Sequence, residues 1–180
     1  PSDRFPSIGP HGQILFVSRR SGEDQLWSAD RSDAPARQLT HGDGWQLSDP
    51  VWSPDGQWIA FAAMRDGMSD LYLVNADGSQ LRRLTADASE DSGPQWASDS
   101  RSIFFSSRRG GQSRIWRLPV TFAADPRPQA AVPVTPPGPG DFRLSADGHT
   151  LFYLYPGPAG ICSQHLPPAR PTTTAGERLL

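Results

Sequence analysis

Acidic side chains that could attract a cation or a basic partner are concentrated in two short stretches of this chain. They are Asp43, Asp49, Asp87, Glu90 and Asp91. Clustered carboxylates create a negative potential that draws positively charged groups. The spacing of Asp87, Glu90 and Asp91 does not match a calcium-binding loop. An acidic rim with binding capacity is one interpretation, and solvated loop residues are the other.

Residue patterns typical of catalysis or metal binding do not occur in the sequence. The histidines His11, His41, His149 and His165 lack the short spacings of structural zinc sites. No Gly-x-Ser-x-Gly nucleophile elbow is present, and the nearest string, 111–115, is predicted to be a hairpin turn. Phosphate-binding and dinucleotide-binding glycine motifs are also missing. We therefore predict no catalytic residue, no metal and no cofactor.

Composition disfavours nucleic-acid binding and membrane insertion. All 17 basic residues are arginine, the formal net charge is −2, and the arginines are spread through turns. Phosphate contacts need a positive stripe, which this pattern does not supply. No apolar run approaches the roughly 18 residues of a membrane helix, and no signal-peptide pattern occurs. The single Cys162 cannot form an internal disulfide and is predicted to be a small buried hydrophobe.

The elements that position the acidic residues follow from an internal repeat. The segment 50–61 recurs 44 positions later as 94–105, so Trp52 aligns with Trp96. The same spacing aligns Leu15 and Val17 with Ile59 and Phe61. We predict four copies, near residues 6–45, 46–89, 90–135 and 139–166. A fixed period of this size is typical of repeat architectures.

Each copy contains the pattern of four short strands. In the second copy we predict strands at 50–53, 58–64, 70–74 and 81–85, separated by turns that end in glycine. Both faces of these strands are largely apolar, so both must be buried. Radial stacking of the copies would bury them, which predicts an all-β fold of the β-propeller type. A β-sandwich is the alternative, but it would not explain the constant period.

Three motifs give the sequence a family resemblance. At Trp52-Ser53-Pro54-Asp55-Gly56, at 70–79 and at Arg82-Arg83-Leu84-Thr85 the chain resembles the TolB-like propeller repeat, over about residues 6–155. This repeat is shared by bacterial TolB proteins, the propellers of prolyl oligopeptidase family enzymes and the sensor domains of CadC-like winged-helix regulators. The resemblance implies four-stranded blades, a periplasmic or envelope-associated location and a protein partner. Propellers of this family usually have six or more blades, so the resemblance implies that the four copies form an incomplete propeller.

The resemblance also singles out one acidic position and one basic position in each repeat. The family pattern has an Asp three residues before the Pro that precedes the Trp. Asp91 matches it, whereas Leu47 and Pro139 do not. The aligned arginines predicted to form ion pairs between blades are Arg20, Arg65 and Arg109. Their alternative role is that of solvated turn residues.

Aligned aromatic residues complete the site analysis. They are Trp27, Tyr72 and Trp116, one in each third strand, and we predict that they pack between blades. The predicted binding rim consists of Asp43, Asp49, Glu90 and Asp91.

The domain prediction places propeller blades in residues 1–155. It includes a long Pro-rich loop at 123–140 and a Pro-rich segment at 156–180, either a poorly ordered tail or the start of a further blade. The leading function hypothesis is a noncatalytic propeller module for protein interaction or sensing. The alternatives are the substrate-gating propeller of a prolyl oligopeptidase family peptidase and the sensor domain of a CadC-like regulator.

Overall fold

The computed structural model describes residues 2–31, 33–122, 130–155 and 160–166. Within these ranges the chain forms strands and turns, without a helix. The strands are β1 (Asp3–Ile8), β2 (Ile14–Ser18), β3 (Gln25–Ala29), β4 (Arg37–Gln38), β5 (Gln46–Trp52), β6 (Trp58–Arg65), β7 (Met68–Asn75), β8 (Arg82–Arg83), β9 (Asp91–Trp96), β10 (Ser102–Ser107), β11 (Arg114–Pro119), β12 (Val132–Pro133), β13 (Phe142–Leu144), β14 (Thr150–Tyr155) and β15 (Gly160–His165).

These strands form four antiparallel sheets, one for each sequence repeat. The sheets are β1–β4, β5–β8, β9–β12 and β13–β15, and in each of them neighbours in sequence are neighbours in space. We call them blades 1 to 4. Up-and-down sheets repeated in this way are the units of a β-propeller, so the predicted fold class is confirmed.

The Ser-Pro-Asp-Gly motif builds the turn between the first two strands of a blade. In blade 2 the Asp55 carboxylate accepts a hydrogen bond from the amide of Gln57 at 3.0 Å, and the Ser53 hydroxyl accepts one from the amide of Trp58 at 2.9 Å. Blade 4 has both bonds at its Ser-Ala-Asp-Gly turn, where Asp147 accepts from the amide of His149 and Ser145 from the amide of Thr150. These aspartates therefore act as turn formers, as side chains that accept local amide bonds do.

A Leu-Thr motif, which is Val-Thr in blade 3, follows the short outer strand and bonds it to the third strand of the same blade. Its threonine hydroxyl accepts a hydrogen bond from a buried backbone amide, at 2.9–3.1 Å in blades 1, 2 and 3. The threonines are Thr40, Thr85 and Thr135, and all three are buried. The side chain thus satisfies an amide that would otherwise be buried without a partner.

The core consists of three apolar seams between successive blades. The seam between blades 1 and 2 contains Leu15, Val17, Leu26, Leu47, Ile59, Phe61 and Val74. The seam between blades 2 and 3 contains Trp58, Ala60, Ala62, Leu71, Leu73, Trp96, Ile103 and Phe105. The seam between blades 3 and 4 contains Ala97, Phe104, Ile115, Phe142, Leu151 and Leu166. Residues on alternate sides of each second strand enter different seams, as the period of two requires.

The predicted alignment of the first repeat is wrong by one residue in its second strand. Leu15 and Val17 face blade 2, whereas Ile59 and Phe61 face blade 1. Phe16 pairs with Trp27 in the way that Phe61 pairs with Tyr72, so Phe16 is the true counterpart of Phe61. The first hairpin is one residue shorter, and a shift of one residue moves a strand's side chains to the opposite face.

The inner strands begin earlier than predicted. Each contains a proline, and a bulge beside the proline lets the strand continue on both sides of it. The strand predicted at 50–53 spans Gln46–Trp52, and its register shifts between Ser48 and Val51. Asp49, just before Pro50, has a φ of 50°. Blades 1 and 3 shift at the equivalent place, where Phe5 and Gly93 also have positive φ. Proline cannot donate to the ladder, and the bulge accommodates it.

Two features of the C-terminal third differ from the prediction. Val132–Pro133 forms the outer strand of blade 3 within the segment predicted to be a loop, because its backbone pairs with β11. Gly160–His165 pairs with β14 along its whole length, so this part of the segment 156–180 belongs to blade 4, in agreement with the fourth copy at 139–166 and not with a tail. Cys162 lies on this strand and is only half-buried, since the strand is at the edge of the sheet. Residues 123–129, 156–159 and 167–180 lie outside the described residues.

Candidate functional site: the loop rim and the axial cavity

One end of the blades gathers most of the charged loops. The connections 39–45 and 84–90 lead from an outer strand to the next inner strand, and the turns 19–24, 66–67 and 108–113 follow the second strands. Antiparallel topology places both kinds of segment at the same end of each sheet. We call this end the loop rim.

The four residues predicted for a binding rim are in different environments. Asp43 and Glu90 are exposed on the loop rim. Asp49 lies within β5, beside the propeller axis, because the strand begins four residues earlier than predicted. Asp91 is fully buried at the start of β9 and is bound to an arginine, so it adds no exposed charge to the rim.

Arg109 is the centre of a charged cluster in blade 3. Its Nη2 lies 2.7 Å from Oδ2 of Asp91 and 2.8 Å from Oδ2 of Asp87, and its guanidinium lies 4.9 Å from the centroid of the Trp116 ring. Asp91 belongs to the same blade, whereas Asp87 comes from the loop that follows blade 2. Burial raises the pKa of Asp91, and the neighbouring Ser107, Thr85 and Arg109 oppose that rise only in part.

Blade 1 contains the same arrangement, which the sequence prediction did not include. Arg20 donates to both carboxylate oxygens of Asp3, at 2.9 and 3.0 Å, and lies over the rings of Phe16 and Trp27. Hydrogen bonds from Ser18 and Arg20 lower the pKa of Asp3. Asp3 stands three residues before Pro6, as Asp91 stands before Pro94. In both blades the pair with this aspartate lies within one blade. Only Arg109 also makes an ion pair toward the preceding blade, as predicted, through Asp87 in the loop that follows blade 2.

Blade 2 replaces this pair with apolar groups. Leu47 occupies the position of the aspartate, and Arg65 is 63% exposed with only Asp66 nearby, at 3.8 Å. Trp45 instead packs on the aromatic pair beneath, with ring centroids 4.9 Å from Tyr72 and 6.4 Å from Phe61. The indole therefore covers the surface that a guanidinium covers in blades 1 and 3, and Arg65 points to solvent.

The predicted packing role of the aligned aromatics holds for two of the three. Tyr72 packs against the seam between blades 1 and 2, and Trp116 against the seam between blades 2 and 3. Trp27 lies beneath Arg20 on the side of blade 1 that faces away from blade 2.

A second buried carboxylate ties blade 1 to blade 2. Asp24 is 1% exposed and receives Arg4 at 2.6 Å, Arg19 at 2.7 Å and the amide of Leu47 at 3.4 Å. Burial opposes ionisation of Asp24, but the hydrogen bonds and charges of Arg19 and Arg4 outweigh it and lower the pKa. Leu47 is the second residue of β5 and packs in the seam between blades 1 and 2, so this cluster stabilises that seam.

In blades 2 and 3, serines make the equivalent hydrogen bond to the next blade. Ser69 and Ser113 occupy the aligned position at the start of the third strand: Asp24 and Ser113 directly precede β3 and β11, and Ser69 is the second residue of β7. Ser69 donates its hydroxyl to the carbonyl of Asp91 at 2.8 Å, and Ser113 donates to that of Pro139 at 3.0 Å. One repeated position thus bonds each blade to the start of the next inner strand. Sequence reasoning missed this position because the residue type changes while the geometry is kept.

An axial cavity lies between the inner strands. It has a volume of about 420 Å³ and is lined by the bulges of blades 1, 2 and 3 and by Arg143 of blade 4. Phe5, Asp49 and Gly93 mark the three bulges, each directly before a proline. The recurrence of a proline inside a strand pattern is the sequence signal that indicates such a bulge. Asp49 and Arg143 give the cavity one acidic and one basic side chain.

The residues of the loop rim and the axial cavity can bind a partner through charge and shape. In the ranges that the structure describes, no three His, Cys, Asp or Glu side chains are grouped so as to hold a metal ion. The exposed carboxylates of the rim, and Asp49 and Arg143 in the axial cavity, present groups that a partner can contact. Over the same ranges the structure has no helix of a length and apolarity suited to crossing a membrane.

Comparison with known proteins identifies the family. Residues 4–159 match the model of the tricorn protease N-terminal beta propeller domain, and the chain belongs to this family. The sequence is 40% identical over 87 residues to the Tol-Pal system protein TolB of Anaeromyxobacter dehalogenans, which covers 48% of this chain and 20% of that protein. It is 33% identical over 88 residues to an uncharacterized peptidase of Bacillus subtilis, YuxL, covering 44% and 13%.

The fold is also that of solved propeller structures. TolB from Acinetobacter baumannii superposes with a TM-score of 0.71 at 22% identity, over 91% of this chain and 41% of that chain. The present chain therefore spans less than half of that structure and about a fifth of the TolB sequence that it matches. The resemblance to TolB-like repeats is confirmed by both comparisons.

Proposed function

We propose that this member of the tricorn N-terminal propeller family is a noncatalytic module that binds a protein partner in a bacterial envelope-associated protein. The observation that carries the proposal is the separation of the rim acids into two groups. Asp91 is neutralised by Arg109, whereas Asp43 and Glu90 keep exposed charge at the same end of the blades. Exposed loops on a rigid scaffold are the usual place of binding residues.

The comparisons support this function and its location. The first matched relative is a Tol-Pal system protein, and its similarity to this chain covers about half of the 180 residues. We carry the envelope association over from that relative. The partner is a protein segment with basic side chains, because the groups offered to it are carboxylates.

The experiment measures binding of a lysine-containing peptide to the 180-residue chain at several salt concentrations. We expect binding to weaken as salt rises, since exposed charges are screened over about 10 Å at ~0.1 M ionic strength. The double variant Asp43→Asn/Glu90→Gln should bind several-fold more weakly. The control Asp30→Asn/Asp33→Asn removes two exposed charges beyond the opposite end of β3 and should bind normally. Equal binding by both double variants would refute the proposal that the loop rim binds the partner.

A second candidate function is the propeller portion of a peptidase, in which the blades gate access to a separate hydrolase domain. The observation in its favour is the sequence similarity to the Bacillus subtilis peptidase. Under this function too, the present residues would bind substrates or restrict their access, and the catalytic nucleophile would lie in the separate hydrolase domain. Hydrolysis of a fluorogenic peptide by the 180-residue chain would contradict both functions, because each assigns this segment a noncatalytic role.

A further inference from the structure

A groove opens on the outer side of the seam between blades 2 and 3. It has a volume of about 470 Å³, and the described residues that line it come from 82–87 of blade 2 and from 116–121 and 130–131 of blade 3, together with Arg109. We call this cavity the outer groove. Its largest apolar residues belong to the core of this seam or pack against it: Leu84, Trp116, Leu118, Val120 and Ala131.

The equivalent place in the seam between blades 1 and 2 is closed. Leu39 is the counterpart of Leu84 and is 2% exposed. A Cβ added to Gly78 would lie 2.7 Å from the carbonyl oxygen of Leu39, so the turn of blade 2 leaves no space there. Blade 3 has the connection 120–131 where blade 2 has 76–81, and Leu84 is only partly buried. The outer groove is therefore not a general consequence of blade packing.

Arg82 gives one end of the outer groove a positive charge. Its Nη2 donates to the carbonyl oxygen of Thr121 at 2.5 Å, and it has no carboxylate partner among the residues that the structure describes. The other two arginines of the lining, Arg83 and Arg109, are bound to aspartates. The guanidinium of Arg82 lies 5.4 Å from the centroid of the Trp58 ring, which holds it in place. Burial lowers the pKa of Arg82, because its charge has lost part of its hydration.

The floor of the outer groove has the length and the period of an extended chain. Trp116, Leu118 and Val120 alternate along blade 3 and line the groove together. Four residue steps separate the first from the last, which is about 13 Å in an extended chain. An extended peptide of about four residues matches this length and places alternate side chains on the apolar floor.

We propose that the outer groove binds an extended segment of a partner protein that carries apolar side chains followed by a carboxylate. The apolar side chains pack on the floor formed by Trp116, Leu118 and Val120, and the carboxylate binds Arg82. A carboxylate suits this end because it supplies the charged acceptor that Arg82 lacks. Arg82 pairs with Leu73 near the end of β7 and so lies away from the loop rim. The proposal therefore does not rest on the function proposed for the rim.

Isothermal titration calorimetry of the 180-residue chain with two unlabelled peptides tests the site. The first is an acetylated and amidated peptide of three leucines followed by glutamate, and the second has glutamine in place of the glutamate. We expect the glutamine peptide to bind about tenfold more weakly, which is the loss of one hydrogen bond to a charged group. Hexanoate offers a carboxylate without a peptide chain, and it should bind more weakly than either peptide.

Four single variants locate the binding. Arg82→Gln should lower the affinity for the glutamate peptide to that for the glutamine peptide. Arg37→Gln is the matched control, because Arg37 bonds two carbonyl groups of blade 2 across the closed seam, and both affinities should stay unchanged. Ala86 is exposed at the mouth of the groove, so Ala86→Trp should abolish binding. His41→Trp, at the equivalent exposed position beside the closed seam, should bind normally.

The double variant Asp43→Asn/Glu90→Gln separates the outer groove from the loop rim. It should bind the glutamate peptide as the unchanged chain does, and circular dichroism verifies the fold of every variant. Four results would each overturn the proposal: no saturable binding by the unchanged chain, equal affinity for the two peptides, equal losses in Arg82→Gln and Arg37→Gln, or lost binding in the rim variant. Hexanoate that binds as tightly as the glutamate peptide would assign the groove to small acids instead of a protein segment.

Discussion

The ring of Trp45 lies against the ring of Tyr72, with their centroids 4.9 Å apart. In blade 3 the ring of Trp116, at the position of Tyr72, is covered by the guanidinium of Arg109 instead. The repeat therefore accepts either an indole or an arginine–aspartate pair over the same aromatic platform. The two arrangements differ in their dependence on charge, because only the second contains a carboxylate, which is buried at Asp91 in blade 3.

Removing Arg109 should be costly, whereas removing its counterpart Arg65 should not. Arg109→Ala leaves the fully buried Asp91 without its ion-pair partner, which costs about 3 kcal/mol or more of the free energy of unfolding. Arg65→Ala removes an exposed side chain and should change that free energy by less than about 0.5 kcal/mol. Urea denaturation of both variants provides the comparison, and equal effects would contradict the difference between the blades.

The buried carboxylates should respond to acid in opposite directions. The lowered pKa of Asp24 means that its stabilisation is present above its ordinary pKa of 3.8 and is lost as the pH falls through the lower folded value. The raised pKa of Asp91 means that the folded state gains stability relative to the unfolded state as the pH falls through that raised value toward 3.8.

Asparagine variants measure these two contributions separately. The stability advantage of the unchanged chain over Asp24→Asn should shrink below about pH 4. As the pH is lowered toward about 4, the unfolding free energy of the unchanged chain should rise relative to that of Asp91→Asn. Denaturation curves at a series of pH values give both differences. If both differences change in the same direction with pH, the opposite pKa shifts of Asp24 and Asp91 are refuted.

Two phenylalanines should dominate the stability of successive seams. Phe61 and Phe105 are fully buried, and truncating either to alanine should cost about 3 to 5 kcal/mol. Phe152→Ala is the matched control, because this side chain is 42% exposed and should cost less than half as much. Guanidinium unfolding midpoints provide the measurement. A change below about 1 kcal/mol at both buried positions would show that they are not core residues.

The bulge of blade 3 should require glycine for its backbone conformation alone. Gly93 has a φ of 59°, and a Cβ added there would meet no atom within 4 Å. Gly93→Ala should therefore cost about 1 to 2 kcal/mol from backbone strain without any clash. Gly93→Asn should cost less, since blade 2 has Asp49 in the same conformation and asparagine tolerates it. Thermal unfolding distinguishes this order from equal losses, which would point to crowding.

The sequence predicted the features of the fold that recur, and it failed where one repeat departs from the others. The glycine-ended turns and the alternation of Ile59 and Phe61 are local and repeated, so the blades could be anticipated. The first hairpin lacks one residue, and pattern matching at a constant spacing then assigned Leu15 and Val17 to the wrong face.

The charged cluster at the loop rim was only partly predictable, for a related reason. The aligned arginines could be found by spacing, but their partners depend on which face the start of the inner strand presents. The prediction does not include Asp3, and it places Asp91 both in the exposed rim and at the acidic position aligned with the arginines. Only the second placement agrees with the structure, because burial at a seam is set by the neighbouring blade. The role of Trp45 has no counterpart in the other copies, so no repeat could indicate it.

The outer strands β4, β8 and β12 contain two residues each, and the chain that leads into them varies in length. The connection 120–131 is twice as long as the connection 76–81, yet both end in a strand that pairs with the third strand of its blade. Doubling a loop adds only about 0.6 kcal/mol of closure entropy. Insertions can therefore accumulate at the circumference while the spacing around the axis stays fixed, which lets the outline of the protein evolve independently of its centre.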